Sequence, residues 1–264
     1  MIFLKTSDEI ELMRAANLLV SKTLVEIAKV IKPGVTTLQL DRLAEEFIRD
    51  NGAIPTFKGF PNPYGPAFPA SICTSVNDVV VHGIPTDVPL KEGDIVSVDC
   101  GTLLNGFNGD SCYTFCVGEV DPKTRQLLKV TKESLYLGIQ EAISGKRIGD
   151  VGYAIQTHCE ENGYGVVREF VGHGIGKKMH EDPQVPNYGR RGNGPQIKNG
   201  LCIAIEPMIT LGKRDVQMMP DKWTITTVDG QMAAHFEHTI AIHDGKADIL
   251  SSFEEIENIE GKQY

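Results

Sequence analysis

The sequence predicts an α+β fold in which helices back an antiparallel sheet. Three observations carry this: stretches with apolar residues at helical spacing, short strands that are apolar on both faces yet hold an acidic residue, and a strand pattern that recurs in the second half. Ile10, Leu12, Met13, Ala16, Leu19, Val20, Ile27, Val30 and Ile31 mark one face of a long helix. Thr6 and Glu9 can form its capping box, and Pro33-Gly34 ends it. A second helix starts at the Thr36/Gln39 capping box, buries Leu40, Leu43, Ala44 and Phe47, and stops at Gly52. These apolar stripes are structural, and neither helix is assigned a chemical role.

Residues 55–69 hold Pro55, Pro61, Pro63, Pro66 and Pro69 among Phe57, Phe60, Tyr64 and Phe68, which is too proline-rich for regular structure. Two readings fit: a segment lying across the core, or the lining of an apolar pocket. The run S-I-C-T-S-V-N-D-V-V-V-H supplies two short strands, with His82 closing the second. After a turn at Lys91-Glu92-Gly93, D-I-V-S-V-D-C-G is a strand apolar on both faces with Asp99 inside it. A buried carboxylate needs a cation, a network or a raised pKa. The chain turns near Leu104 to Gly106 and returns through Asn108-Gly109-Asp110, a hairpin with a second carboxylate facing the first. Such a pair suits a hard metal ion; viewed alone, Asp110 reads equally well as a turn residue after Asn-Gly.

Helices follow over 122–144 and from Ile148 to Asn162, where His158 is given no ligand role. The strand Y-G-V-V-R-E-F then leads into Phe170 to Tyr188, a glycine-rich run that carries His173 and His180. Gly172, Gly174 and Gly176 leave the backbone around His173 free to take unusual dihedrals or to approach a ligand closely. Further on, Lys198-x-Gly200 precedes Glu206 as Lys91-x-Gly93 precedes Asp99, and Glu237 in A-A-H-F-E-H-T-I-A-I is the late counterpart of Asp110. The chain reads as two related halves that each contribute carboxylates from antiparallel strands.

Length and composition exclude several classes. At 264 residues and 41% hydrophobic content the chain can bury a sizeable core. A net charge of -9 argues against nucleic acid as a substrate. No secretory signal and no membrane-length apolar run is visible, so a cytoplasmic protein is expected, with its six cysteines as reduced thiols. Cys112 and Cys116 lie in a strand-like context and are read as structural.

The candidate set is Asp99, Asp110, His173, Glu206 and Glu237. Four carboxylates converging without a cation would repel strongly, whereas two divalent ions would be neutralised by them. Oxygen-rich ligands with one nitrogen suit Mn, Fe, Co or Zn, which points to a dinuclear hydrolase.

Phe170 to Tyr188 also resembles the signature of type I methionine aminopeptidases, and the five ordered residues resemble that family's metal ligands. The resemblance runs from near residue 7 to about residue 250. It implies the pita-bread fold, a pseudo-twofold antiparallel sheet with helices on its outer face, formed by 1–264 as one catalytic domain. It further implies that Asp110 and Glu237 bridge two ions, that Asp99 holds one, and that His173 with Glu206 holds the other. Catalytic roles then fall to Glu206 as proton shuttle, His180 at the developing oxyanion and His82 at the scissile amide, with both histidines binding substrate. Cys73, Phe68, Met179 and Trp223 would complete the substrate site. The implied activity is removal of the initiator methionine from nascent polypeptides near the ribosome when the second residue is small, by a monomer. Met179 departs from the aromatic residue of many relatives, and the loop from Phe60 to Phe68 is longer than in the shortest ones. Only 32 residues separate His173 from Glu206, too few for the type II insertion, and Asp99 lies too near the start for the N-terminal domain of prolidases. The Cys/His-rich extension of eukaryotic cytosolic enzymes is absent, so a bacterial-type enzyme is expected.

Overall fold

Helix α1 (Ser7–Val30) begins at the expected capping box: the Thr6 hydroxyl accepts from the Glu9 N–H while the Glu9 carboxylate accepts from the Thr6 N–H. Helix α2 (Thr37–Asp50) repeats the device with Thr36 and Gln39. The structure is a computed structural model that describes residues 1–261.

The first half continues with β1 (Ile54–Pro55), β2 (Ile72–Val76), β3 (Val79–Val81), β4 (Ile95–Leu104) and β5 (Phe107–Cys116). Helices α3 (Pro122–Glu141) and α4 (Ile148–Glu161) pack on each other, then β6 (Gly165–Val166), β7 (Gly172–Gly174) and β8 (Glu181–Val185) follow. The last part supplies β9 (Cys202–Ile205), β10 (Met208–Thr210), β11 (Val216–Met218), β12 (Ile225–Thr227), β13 (Ala233–His235), β14 (Glu237–His243), β15 (Lys246–Ile249) and α5 (Glu254–Glu260).

Nine of these strands form one antiparallel sheet along the path β1-β4-β5-β14-β9-β7-β8, with β2 also on β4 and β15 also on β14. The predicted half-repeat is visible in that order. The hairpin β4–β5 and the pair β9–β14 flank a central junction where β5 meets β14 through Cys112↔Glu237 and Ser111↔His238. Helices cover the other face, which is the pita-bread arrangement. Two small sheets, β13-β10-β6 and β11-β12-β3, complete the wall. All six cysteines are free and buried.

The hairpin turns where the sequence predicts, the strand before Phe170 is shorter than expected, and a proline is accommodated in β8, each for a local reason. The hairpin turn is Asn105-Gly106, with φ of 52° and 80°, the pattern of a two-residue type I′ loop. Asn108-Gly109-Asp110 therefore lies inside β5, and Asp110 is a strand residue and not a turn residue. The strand expected over 164–170 shrinks to Gly165–Val166, because its partner β10 is only three residues long and the chain beyond leaves the edge. Within the His-rich run, β8 forms despite Pro183 because it is an edge strand, where a missing N–H need not cost a ladder bond.

Candidate active site

Strand parity gathers the acidic residues. In the β4–β5 ladder Asp99 lies opposite Cys112 and Gly101 opposite Asp110, so the two aspartates are diagonal neighbours on one face. Glu237 lies opposite Cys112 from the other side and shares that face. Glu206 follows the last residue of β9, whose Ile205 pairs with His238, so it comes level with Glu237. Helix α1 fixes this arrangement from behind: the buried Asn17 side chain accepts from the Asp110 N–H at 3.1 Å and donates to the Met13 carbonyl at 2.9 Å. A Cβ on Gly109 would lie 2.6 Å from the α1 backbone at Ala16 and Asn17, so glycine lets the helix lie directly on β5 beside Asp110.

His173 enters from β7. Its Nδ1 lies 2.9 Å from the Gly174 carbonyl, an acceptor, so Nδ1 carries the proton and the Nε2 lone pair is left for an ion. Nε2 stands 3.5 Å from Asp110 Oδ2 and 3.7 Å from Glu206 Oε1. Ligand atoms of Asp110, His173 and Glu237 all lie within 4.8 Å of one another. The flanking glycines serve strand packing: a Cβ on Gly172 would meet the Ala204 carbonyl oxygen at 2.3 Å, and one on Gly174 the Asp182 carbonyl oxygen at 2.1 Å. Neither glycine has a positive φ, so close approach of neighbouring backbone, and not unusual dihedrals, is what excludes a side chain there.

The electrostatics of this cluster fit a cation. Asp99 Oδ1, Asp110 Oδ1 and Glu237 Oε1 are buried without a hydrogen-bond partner. Burial, then the neighbouring carboxylates, push Asp99 and Glu237 well above the usual carboxylate range. Asp110 is raised by burial against the opposing pull of His173. Burial lowers His173, yet Asp110 and Glu206 carry it above its ordinary value. Orphaned carboxylate oxygens beside an imidazole nitrogen form a group that could hold a metal ion.

A cavity of about 550 Å³ opens over the cluster and is lined by all five of these residues together with His82, His180, Cys73, Phe68 and Trp223. His180 lies against His173, ring centroids 4.4 Å apart, and against the edge of Phe60 at 5.2 Å. The next residue, Glu181, forms a buried ion pair with Lys5 at 2.6 Å, which ties the N-terminal segment to the His173–His180 stretch. His82 has a φ of 58°, a conformation rare outside glycine, at the end of β3. Its ring packs edge-on against Phe170 at 5.5 Å and Trp223 at 6.2 Å. Burial pushes His82 down to about 4, and burial followed by the His173 ring pushes His180 down, so both imidazoles are neutral at pH 7.

Two loops meet at the cavity wall. The Trp223 indole N–H donates to the Pro66 carbonyl at 2.8 Å, and the Asn62 amide donates to the Lys222 carbonyl at 2.9 Å. Phe60 and Phe68 line the cavity, whereas Tyr64 is 83% exposed. Met179 is buried behind the lining, in the cluster that includes Ile10, Met13, Phe57 and Phe60, and is not a lining residue. His158 reaches Glu133 at 3.2 Å on the α3–α4 pair, away from the cavity lining.

Phe57 of the proline-rich segment also lines the cavity, as do Phe170, Gln184 and Met208, to which sequence reasoning gave no site role; it gave none either to His235, behind the lining. His235 Nε2 stands 3.6 Å from Glu206 Oε2. The signal available was its position two residues before Glu237 in A-A-H-F-E. Among the described residues no helix is long and apolar enough to cross a membrane.

Comparisons agree with this geometry. The chain is 53% identical over 252 residues to the methionine aminopeptidase of Clostridium acetobutylicum, covering 95% of this chain and 99% of that one. It is 50% identical over 251 residues to methionine aminopeptidase 1 of Bacillus subtilis, with the same coverage. The crystal structure of methionine aminopeptidase from Thermotoga maritima superposes with a TM-score of 0.92 at 43% identity, over 96% of this chain and all of that one. A prolidase from Pyrococcus horikoshii, 21% identical with a TM-score of 0.75 over 94% of this chain and 63% of that one, shares the fold. The model of metallopeptidase family M24 matches residues 11–244, and the chain belongs to that family.

Proposed function

We propose that this chain is a methionine aminopeptidase that removes the initiator methionine from polypeptides whose second residue is small. The observation that carries the reading is the convergence of Asp99, Asp110, Glu206 and Glu237 on His173, with orphaned buried oxygens, at a cavity walled by Phe68, Cys73 and Trp223. Residues 1–264 act as one catalytic domain and as a monomer in the cytoplasm, on nascent chains near the ribosome. Asp110 and Glu237 would bridge two divalent ions of Co, Mn, Fe or Zn, with Asp99 on one and His173 and Glu206 on the other. When bound, the ions supply Lewis acidity and a water that ionises near neutral pH.

The chain's own residues then divide the work. Glu206 takes the proton of the attacking water and passes it towards the leaving nitrogen. His180, neutral and beside His173, donates an N–H to the carbonyl oxygen as negative charge develops on it. His82, also neutral, donates to the scissile amide and stays with the leaving nitrogen. The positive-φ turn at φ 58° and edge-on contacts with Phe170 and Trp223 orient its ring. The methionine side chain lies against Phe68, Trp223 and Cys73, where a polarisable thioether meets aromatic and sulfur surface. Burial and then Asp99 push the Cys73 thiol well up, so it remains S–H and presents no competing charge.

Methionine release from Met-Ala-Ser, compared with Leu-Ala-Ser and an Xaa-Pro peptide after loading with Co or Mn, tests the reading. Release from the methionine peptide well above the other two supports it. Preference for leucine or Xaa-Pro would assign a different peptidase specificity, and tight peptide binding without turnover would assign a recognition module.

A further inference from the structure

We infer that His235 is a positioning residue for Glu206: its Nε2 steadies the Oε2 oxygen so that Oε1 stays turned towards His173. The inference rests on the reading of Glu206 as a metal ligand and proton carrier. His235 is 2% exposed, and its Nε2 is buried without a hydrogen-bond partner. It faces Glu206 Oε2 at 3.6 Å, while Glu206 Oε1 stands 3.7 Å from His173 Nε2. One carboxylate is thus flanked by two imidazoles, one oxygen to each. A closing shift of about half an ångström would bring His235 and Glu206 to ordinary hydrogen-bond distance and satisfy the stranded nitrogen.

The surroundings leave little else for this imidazole to do. Its main chain is fixed on both sides, since the His235 N–H meets Thr114 Oγ1 at 3.1 Å and its carbonyl accepts from Thr114 Oγ1 at 2.7 Å and from the Cys112 thiol at 3.5 Å. In the small sheet it pairs with Met208, two residues beyond Glu206, so the two side chains are held on adjoining strands. The Glu206 carbonyl is fixed in turn by the Asn187 amide at 2.9 Å. What remains free is the Glu206 side chain itself. His235 is not among the residues lining the cavity, so it reaches the site through Glu206. A group that hydrogen-bonds a ligating carboxylate from behind fixes its orientation, and losing such a group typically costs about 10- to 100-fold in metal affinity or activity.

The test compares His235→Leu, which keeps bulk and loses the N–H, with His235→Gln, which restores an N–H donor. Chelator-treated protein is titrated with Co(II), followed by its visible absorption, and kcat and KM for Met-Ala-Ser are measured on the loaded forms. His235→Leu is expected to weaken Co(II) binding and lower kcat by about tenfold or more with KM within about twofold. His235→Gln is expected to stay within about threefold of the wild type on both readouts. Equal losses in Leu and Gln, or wild-type Co(II) affinity and kcat in Leu, would overturn the assignment. Should the Leu variant not accumulate as folded protein, His235→Asn, too short to reach Glu206, takes its place with the same expectations. A wild-type chain that binds Co(II) but releases no methionine would remove the proposed activity and leave the Co(II) comparison of the variants as the deciding result.

Discussion

Replacing Gly174 by alanine adds one methyl group next to His173, and the geometry sets the size of the effect. The new Cβ would lie 2.1 Å from the Asp182 carbonyl oxygen, 2.6 Å from its carbon and 3.0 Å from the Glu181 carbonyl oxygen. Every one of these atoms is backbone, so no side chain can swing away. Unstrained contacts need about 3.5 Å, which forces β7 and β8 apart by about 1.4 Å at the closest contact. Overpacking of this kind costs about 1–3 kcal/mol of stability. His173 moves with its strand, and its Nδ1–H loses register with the Gly174 carbonyl at 2.9 Å. Misplacing a reacting or ligating group by about 1 Å costs about 100-fold in rate. Urea unfolding, metal content after chelator-free purification and kcat/KM for methionine release measure the three consequences. A Gly174→Ala protein with wild-type stability, metal content and rate would refute the view that this glycine exists to let β7 and β8 close on the metal-binding histidine.

Other perturbations separate the roles of individual groups. Asp110→Asn or Glu237→Gln removes a charge from the pair proposed to bridge the ions and is expected to abolish turnover and weaken metal binding, read by activity and metal analysis; near-normal turnover by either would contradict the assignment. His82→Ala is expected to retain metal while kcat falls by about 10²- to 10⁴-fold, the range for a positioned proton-transfer or donor group; loss of metal instead would make His82 a ligand. Glu260 lies far along the chain from the centre, where burial raises its carboxyl to about 7 although the Tyr113 hydroxyl donates to it at 2.9 Å. The folded state thus binds this proton more tightly than the unfolded chain does, so the contribution is complete below pH 4.5 and is lost as pH rises towards 7 and beyond. Between pH 5 and 8 the wild type should lose about 2 kcal/mol relative to Glu260→Gln in urea unfolding, allowing for residual solvent contact; parallel stability curves for the two proteins would exclude this.

The fold was legible in the sequence wherever a local signal and the tertiary structure agreed. Both capping boxes, the Asp99 strand and the half-repeat ending at Glu206 and Glu237 fall where residue pattern alone put them. Asp110 was ambiguous because Asn108-Gly109 looks like a turn, and the true turn at Asn105-Gly106 competes with it three residues earlier. The reason for Gly109 is a helix packed against it, which no periodicity can reveal. His235 escaped for the same kind of reason: its partner Glu206 is distant in sequence, and only the pairing of β10 with β13 brings them together. The lining aromatics were partly readable, since the proline-rich segment announced a pocket or a core crossing. Which rings turn inward depends on the loop clasp between Asn62 and Lys222 and between Pro66 and Trp223. The resemblance placed Met179 in the substrate site, yet its side chain packs in the cluster behind the cavity wall.

Titrating chelator-treated protein with Mn or Co while following methionine release from Met-Ala-Ser tests the central claim most directly. No release is expected without metal, release should rise as the centre fills, and Glu237→Gln should release none at any metal concentration. Full loading of the wild type with no methionine released, or equal release by Glu237→Gln, would contradict it.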